Sequence, residues 1–290
     1  GIHYWTFAGI GFVALLCFFA FVSYRQYKGH SYIVNAIIAV NKYSFLIRQL
    51  VSRDFKTKYK RSVLGVFWSF LNPLLMMLVQ YFVFSTLFKS DIQNFPAYLI
   101  IGTVSFNFFS EACGMSLTSV LGNASLITKV YMPKYIYPLT RTMSSGVNLL
   151  ISLIPMLMVC LVTGVQFRKS AVLALFFFMT LFIFSLGLGM LLSALMVFFR
   201  DTQFLWNVLS MVWMYATPIF YPETILPEKF RPALNINPLY HFIVNIRLCI
   251  LGGISPEPII YVRCFLMALA MLLVGAGVFK KAQDSFVLYL

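Results

Sequence analysis

The sequence predicts an all-α integral membrane protein with little soluble mass. Three observations carry this. Of 290 residues, 61% are hydrophobic and only 10% are charged, whereas soluble domains carry about 25% charged residues. Apolar runs long enough to cross a bilayer recur along the chain, and the cations gather between them. A basic amphipathic segment, residues 41–61, runs directly into a stretch with no charged residue from Ser62 to Phe88.

In order, the first element is an apolar run at 5–23, followed by Arg25 and Lys28. A signal peptide has its cations before the apolar core; the order here is reversed, so 1–24 is read as an extra N-terminal spanning helix with its N-terminus outside. Residues 25–62 form a linker and a cytoplasmic interfacial helix. Tyr43, Ile47, Val51, Phe55 and Tyr59 recur at i+4, and Arg48, Arg53, Lys56, Lys60 and Arg61 cover much of the rest. Such a helix suits the headgroup boundary or a docking surface for a cytoplasmic subunit. Asp54, a lone acid among these cations, leans towards a specific contact.

The membrane domain is expected over 63–290. Its spans are predicted at 63–88, 95–120, 143–165, 171–199, 203–221 and 259–279, each near the roughly 20 apolar residues a crossing needs. The run at 237–252 is short and interrupted by His241 and Arg247. With 225–235 it reads as a re-entrant or interfacial helical pair, which hints at a cavity. Loops 24–62, 123–142, 200–202 and 280–290 hold fifteen of the 22 Lys and Arg, so the positive-inside rule makes those loops cytoplasmic. Cys17, Cys113, Cys160, Cys249 and Cys264 lack metal-ligand spacing and read as small hydrophobes.

Three constellations could carry function. In the loop 121–141, Asn123 can cap a short helix and Pro133 and Pro138 break the chain again; Tyr131, Tyr135 and Tyr137 make it rich in aromatics. A motor subunit could push on such a helix. Arg200-Asp201 suits a helix start at the interface. Aromatics concentrate on two spans: Phe67, Trp68, Phe70, Tyr81, Phe82 and Phe84 on the first, Trp206, Trp213, Tyr215 and Phe220 on the other. Interfacial belts and a wall that stacks on sugar rings both account for them. Glu111, which lacks an obvious partner, His241 and Arg247 are the main ionisable groups at membrane depth, too few for an evident proton relay. No HExxH, GxSxG or GxxxxGK[ST] is present, so no catalytic role is read and any ATP-driven role needs another polypeptide.

LVSRDFKTKYKRSVLGVFWSFLNPLLMMLV, YLIIGTVSFNFFSEA, NASLITKVYMPKYIYPL, FFRDTQFLWNVLSMVWMYATPIFYP and NPLYHFIVNIR resemble successive stretches of the ABC-2 type polysaccharide-export permeases, which move O-antigen, capsule or teichoic acid precursors. The resemblance runs from about residue 44 to 286. It implies a six-span ABC-2 exporter fold, here with one span more, in a homodimer served by two copies of a cytoplasmic P-loop ATPase. ATP and Mg would sit in that partner, and no cofactor on this chain. It further implies that 123–137 is a coupling helix, with Asn123, Ser125, Lys129, Tyr131, Pro133 and Lys134 meeting the ATPase, and that 225–252 forms external gate helices. Phe67, Trp68, Phe70, Tyr81, Phe84, Trp206, Trp213 and Tyr215 would line the glycan channel. Arg53, Lys56, Lys60 and Arg61 would attract the pyrophosphate of a polyprenyl-linked glycan.

The expectation is therefore a non-enzymatic permease subunit in the bacterial cytoplasmic (inner) membrane, exporting a lipid-linked polysaccharide and binding membrane lipid but no nucleic acid. Two rivals stand beside it, and a third possibility is a scaffold whose extra helix recruits a synthase. One is an ABC-2 exporter of a small hydrophobic drug or lipid. The other is a membrane enzyme acting on a lipid-linked sugar, with Glu111 or His241 as its acid–base group.

Overall fold

The computed structural model describes residues 41–289, apart from 61, 89–93, 130–131, 226–228 and 230. The described chain is helical, with no strand among the described residues. In order, α1 is Ser44–Lys58, α2 Phe67–Phe88, α3 Phe95–Leu117, α4 Ala124–Lys129, α5 Ile136–Val162, α6 Ala174–Phe198, α7 Thr202–Ala216, α8 Arg231–Leu234, α9 Pro238–Ile250, α10 Pro258–Ala282 and α11 Phe286–Tyr289. The predicted extra span at 5–23, with Cys17, lies outside the described residues.

Helix α3 is the axis of the bundle. Pro96 starts it, a position where the missing N–H costs nothing. Leu99, Ile100, Ile101, Phe109, Ala112 and Cys113 have no exposed surface. Helices α2, α5 and α6 surround it, and α6 in turn packs on α10. The α6–α10 contact is backbone against backbone: a Cβ on Gly275 would fall on the Gly187 carbonyl, and one on Gly187 would lie 2.5 Å from Leu272. Small residues at a crossing let membrane helices approach closely enough for dispersion to hold them.

Four stretches are long and apolar enough to cross a membrane: Phe67–Ser85, Ile136–Val162, Lys169–Phe198 and Pro258–Tyr289. The predicted spans at 95–120 and 203–221 are not among them. Helix α3 has 23 residues, about 34 Å, but it carries Thr103, Asn107, Ser110 and Glu111; its neighbours shield much of it from lipid. Helix α7 has only 15 residues. It stops at Ala216 because Thr217 precedes Pro218 and is driven to extended backbone, φ −101° and ψ 131°. The loop before α5 is also shorter than expected. Helix α5 begins at Ile136, so Tyr137, Pro138 and Arg141 are helical and Tyr137 is buried. Asp201 makes no capping hydrogen bond to α7; Thr202 Oγ1 instead donates to the Phe199 carbonyl at 2.5 Å.

Candidate functional site

Helix α1 does more than lie along a surface. Its apolar stripe, through Ile47 and Leu50, buries against Ile136 at the start of α5, with Met132, Tyr135 and Leu139 alongside. The lone acid of the helix lies on the same face. Asp54 is 8% exposed; Arg141 Nη1 reaches its Oδ2 at 3.0 Å and Arg53 Nη2 its Oδ1 at 3.1 Å. Ser144 Oγ donates to Oδ2 at 3.5 Å. Burying a carboxylate is costly unless cations and donors surround it, and here two arginines and a serine do. Arg53 Nη2 also donates to Asn123 Oδ1 at 3.2 Å. One ion cluster therefore ties α1, the loop before α4 and the first turns of α5 together. Asn123 spends its own amide on the Ser119 carbonyl at 2.8 Å and is buried, so it anchors this loop.

A second polar cluster sits where the end of α1 meets α2, α3 and α5. Lys58 Nζ lies 2.7 Å from Glu111 Oε1, and Asn148 Nδ2 donates to the same oxygen at 2.8 Å. The partner that Glu111 lacked in sequence thus lies 53 residues away on the interfacial helix. Six residues separate Glu111 from the end of α3 at Leu117, about 9 Å, so the acid sits near the α1 end of the bundle, off the bilayer midplane. Tyr59 Oη pairs with Ser69 Oγ and reaches Asn148 Oδ1 at 3.3 Å. Burial raises the Tyr59 phenol above its ordinary range, against the pull of Lys58, and keeps it a proton donor. Beside it, Pro73 in α2 has no N–H, which frees the Ser69 carbonyl one turn back. Ser152 Oγ of α5 donates to that carbonyl at 3.3 Å. Lys58, Ser69, Pro73, Glu111, Asn148 and Ser152 line a cleft of about 70 Å³, room for a handful of waters.

At the other end, Arg247 of α9 is 5% exposed. Its guanidinium donates to the carbonyls of Tyr98, Pro218 and Ile219 at 2.7–3.2 Å and lies 3.5 Å from the Tyr98 ring centroid. Tyr98 Oη bonds the Pro218 and Tyr221 carbonyls. Asn237 caps α9 through the Leu239 N–H, accepts from Trp213 Nε1 at 2.8 Å and donates to Thr217 Oγ1. Non-helical backbone at membrane depth persists only where protein or water satisfies it. Arg247 and Tyr98 do so for the segment after α7, and Asn237 holds that segment to the start of α9 through the Thr217 hydroxyl. His241 Nε2 bonds the Asn235 carbonyl at 3.0 Å. The acid–base candidates of the enzyme reading therefore belong to separate clusters, and each is already engaged.

A family model described as "ABC-2 type transporter" matches residues 46–251. The chain belongs to the ABC-2 type transporter family. Its curated relatives include an O-antigen export system permease protein RfbA of Klebsiella pneumoniae, 31% identical over 83% of this chain and 93% of the relative. The O-antigen export system permease protein RfbA of Myxococcus xanthus is 28% identical over 84% and 95%, and the polysialic acid transport protein KpsM of Escherichia coli 20% identical over 82% and 94%. This ABC-2 chain is thus a multi-pass membrane protein.

The predicted site residues fall into separate places on the ABC-2 fold. Phe67, Trp68, Tyr81 and Tyr215 are exposed, while Phe70 and Phe84 are half-buried; Phe84 stacks on Phe220 at 5.2 Å. Trp206 is buried: it lies edge-on to Phe109 at 5.9 Å, and Trp213 meets the same ring at 5.3 Å. These two indoles pack α7 onto α3, whereas the exposed rings face outward. Lys56 and Lys60 are exposed and Arg53 is engaged at Asp54 and Asn123; Arg61 and Tyr131 lie outside the described residues. Ser125 is exposed and Pro133 half-buried. Lys129 ends α4. Lys134 Nζ donates to the Gln283 carbonyl at 2.5 Å and sits over the Phe286 ring, tying the loop before α5 to the C-terminal helices. Sequence reasoning did not name Lys58, Asn148 or Arg141 as site residues. The signal available was the polar i+4 pattern Arg141, Ser144 or Ser145, Asn148, Ser152 inside an otherwise apolar run.

Proposed function

We propose that this chain is the membrane subunit of an ABC transporter that exports a lipid-linked polysaccharide, of the O-antigen or capsule type, across the bacterial cytoplasmic membrane. The observation that carries the reading is the ABC-2 match over 46–251, together with relatives named as O-antigen and polysialic acid export proteins over most of their length. The chain carries no P-loop, so the energy comes from a separate ATPase, in an assembly of two copies of each. The α1 end of the bundle is cytoplasmic, which agrees with the distribution of Lys and Arg. The pyrophosphate of the carrier lipid is drawn to Lys56, Lys60 and Arg61, a screened electrostatic attraction. Motion of the ATPase reaches the membrane helices through α4 and the ion cluster at Asp54. The glycan then passes along the exposed aromatic faces of α2 and α7 between two copies, and α8 and α9 flank its outer exit.

Native mass spectrometry of the complex in mild detergent tests this reading. Two copies of this chain with two of a P-loop ATPase are expected. Deleting the chain should leave polysaccharide inside the cell. An active preparation without ATPase, or full surface polysaccharide in the deletion strain, refutes it. Reversing the charges of Lys56, Lys60 and Arg61 should cut export while assembly persists; unchanged export removes the electrostatic step.

A further inference from the structure

Three helices turn polar residues to one seam. On α3, Thr103, Asn107 and Glu111 recur at i+4; on α5, Asn148 and Ser152 do; on α2, Ser69, Asn72 and Gln80 face them. Thr103 Oγ1 meets Gln80 Oε1 at 3.0 Å, so the seam continues beyond the cleft towards the middle of the bundle. Polar residues that serve only as glue between membrane helices bond one another across the contact. Ser69, Asn148, Ser152, Gln80 and Thr103 do that. Asn72 and Asn107 do not: both line the cleft, both are exposed, and neither side chain has a hydrogen-bond partner among the described residues. Both carboxamides, each able to donate and accept, are therefore open to whatever enters the cleft.

The chemistry of the arrival follows from the charges. Lys58 and Glu111 are paired at 2.7 Å, so the cleft presents no net charge to hold a phosphate or a metal ion. What remains are two carboxamides, each able to donate and accept, beside the ring of Phe108. We propose that this cleft binds a neutral, hydroxyl-bearing sugar residue of the cargo, with Asn72 and Asn107 as its hydrogen-bonding pair. At about 70 Å³ it admits the edge of one ring that offers adjacent hydroxyls, so it is a foothold for the chain as it passes. The inference rests on the polysaccharide-export reading and adds to it a place of contact apart from the aromatic faces.

Cysteine labelling in whole cells tests it, with the full chain and its native partners. Cys113, Cys160, Cys249 and Cys264 are buried and Cys17 is replaced by serine. Asn72→Cys, Asn107→Cys and, as a control away from the cleft and from α2 and α7, exposed Asp284→Cys are treated with a small membrane-permeant thiol reagent. Each is compared in a strain that makes the polymer and in one blocked in its synthesis. Labelling at 72 and 107 should be slower in the producing strain by about threefold, the free fraction left when ligand stands at about twice its Kd, with Asp284→Cys unchanged. Equal rates in the two strains overturn the site, whether fast because the cleft is empty or slow because lipid or a second copy covers it. If either variant fails to accumulate, Ser152→Cys on the same cleft replaces it. Loss of surface polymer in the deletion strain, scored in parallel, separates failure of this site from failure of the export reading.

Discussion

Replacing Arg247 by methionine should cost this fold a few kcal/mol, about 1–3, although it removes a buried charge. The guanidinium satisfies three carbonyls, those of Tyr98, Pro218 and Ile219, and stacks on the Tyr98 ring. Methionine fills the volume and supplies no donor. An orphaned buried acceptor costs about 1–3 kcal/mol in a soluble protein, but polar contacts in membranes average nearer 0.6 kcal/mol because alternatives are found. Tyr98 Oη still reaches the Pro218 carbonyl, and the Tyr98 carbonyl keeps its place in the α3 ladder, so the Ile219 oxygen is the one that loses its main donor. Adding about 1 kcal/mol for the lost ring contact, and subtracting relief from desolvating the charge, leaves a net loss of about 1–3 kcal/mol. For a chain of 290 residues, that is a fall in apparent melting temperature of about 2–5 °C. The assay is thermal unfolding in mild detergent, followed by loss of the monodisperse peak in size-exclusion chromatography. Gly102→Ala provides a second route to the same clamp, since a Cβ there would collide with the Arg247 guanidinium. If Arg247→Met and Gly102→Ala both melt within about a degree of the parent, Arg247 is not what holds the segment after α7.

Gly275→Leu should prevent stable accumulation, because its side chain would overlap the α6 backbone at Gly187 beyond what the roughly 1–3 kcal/mol of ordinary overpacking covers; Gly277→Leu, with open space around it, should accumulate normally, and immunoblots of membranes compare the two. Asp54→Asn strips the buried counter-charge from Arg53 and Arg141, a loss of about 3 kcal/mol, read as a lower melting temperature; Asp54→Asn with Arg141→Met should recover part of it. Lys58→Glu should weaken export and Lys58→Glu with Glu111→Lys should restore it; the pair is part-exposed, so a thermodynamic cycle should give a coupling of no more than about 1 kcal/mol.

Much of this was legible in the sequence where signals are local. The apolar runs located α2, α5, α6 and α10 to within a few residues, or seven at the start of α5, because span length and loop cations are one-dimensional properties. Asp54 stood out as an acid among cations, and it is the residue that docks α1. What escaped depends on contacts far apart in the chain. Glu111 and Lys58 are 53 residues apart, and no spacing links them. Trp206 and Tyr215 share α7, yet one is buried and the other exposed; neighbouring helices set that phase. The early end of α7 could have been read from Thr217-Pro218, because a residue before proline is driven from the helical region.

Pro73 has a mechanical consequence. A straight helix resists bending through its ladder of backbone hydrogen bonds, and α2 already lacks one rung where Pro73 has no N–H. The Ser152 hydroxyl from α5 bridges the gap. Helix α2 packs on α3 and α5 through Met77 and Gln80 while its outer side is exposed, whereas α6 and α10 meet spine to spine at Gly187 and Gly275. Swinging the far half of α2 breaks no further backbone rung, and it gives up the Ser152 and Gln80 hydrogen bonds, about 1 kcal/mol each, together with the Phe84 stack on Phe220. Pro155 leaves a like gap in α5, but of the two pivots it is that of α2 that lies in the wall of the polar cleft.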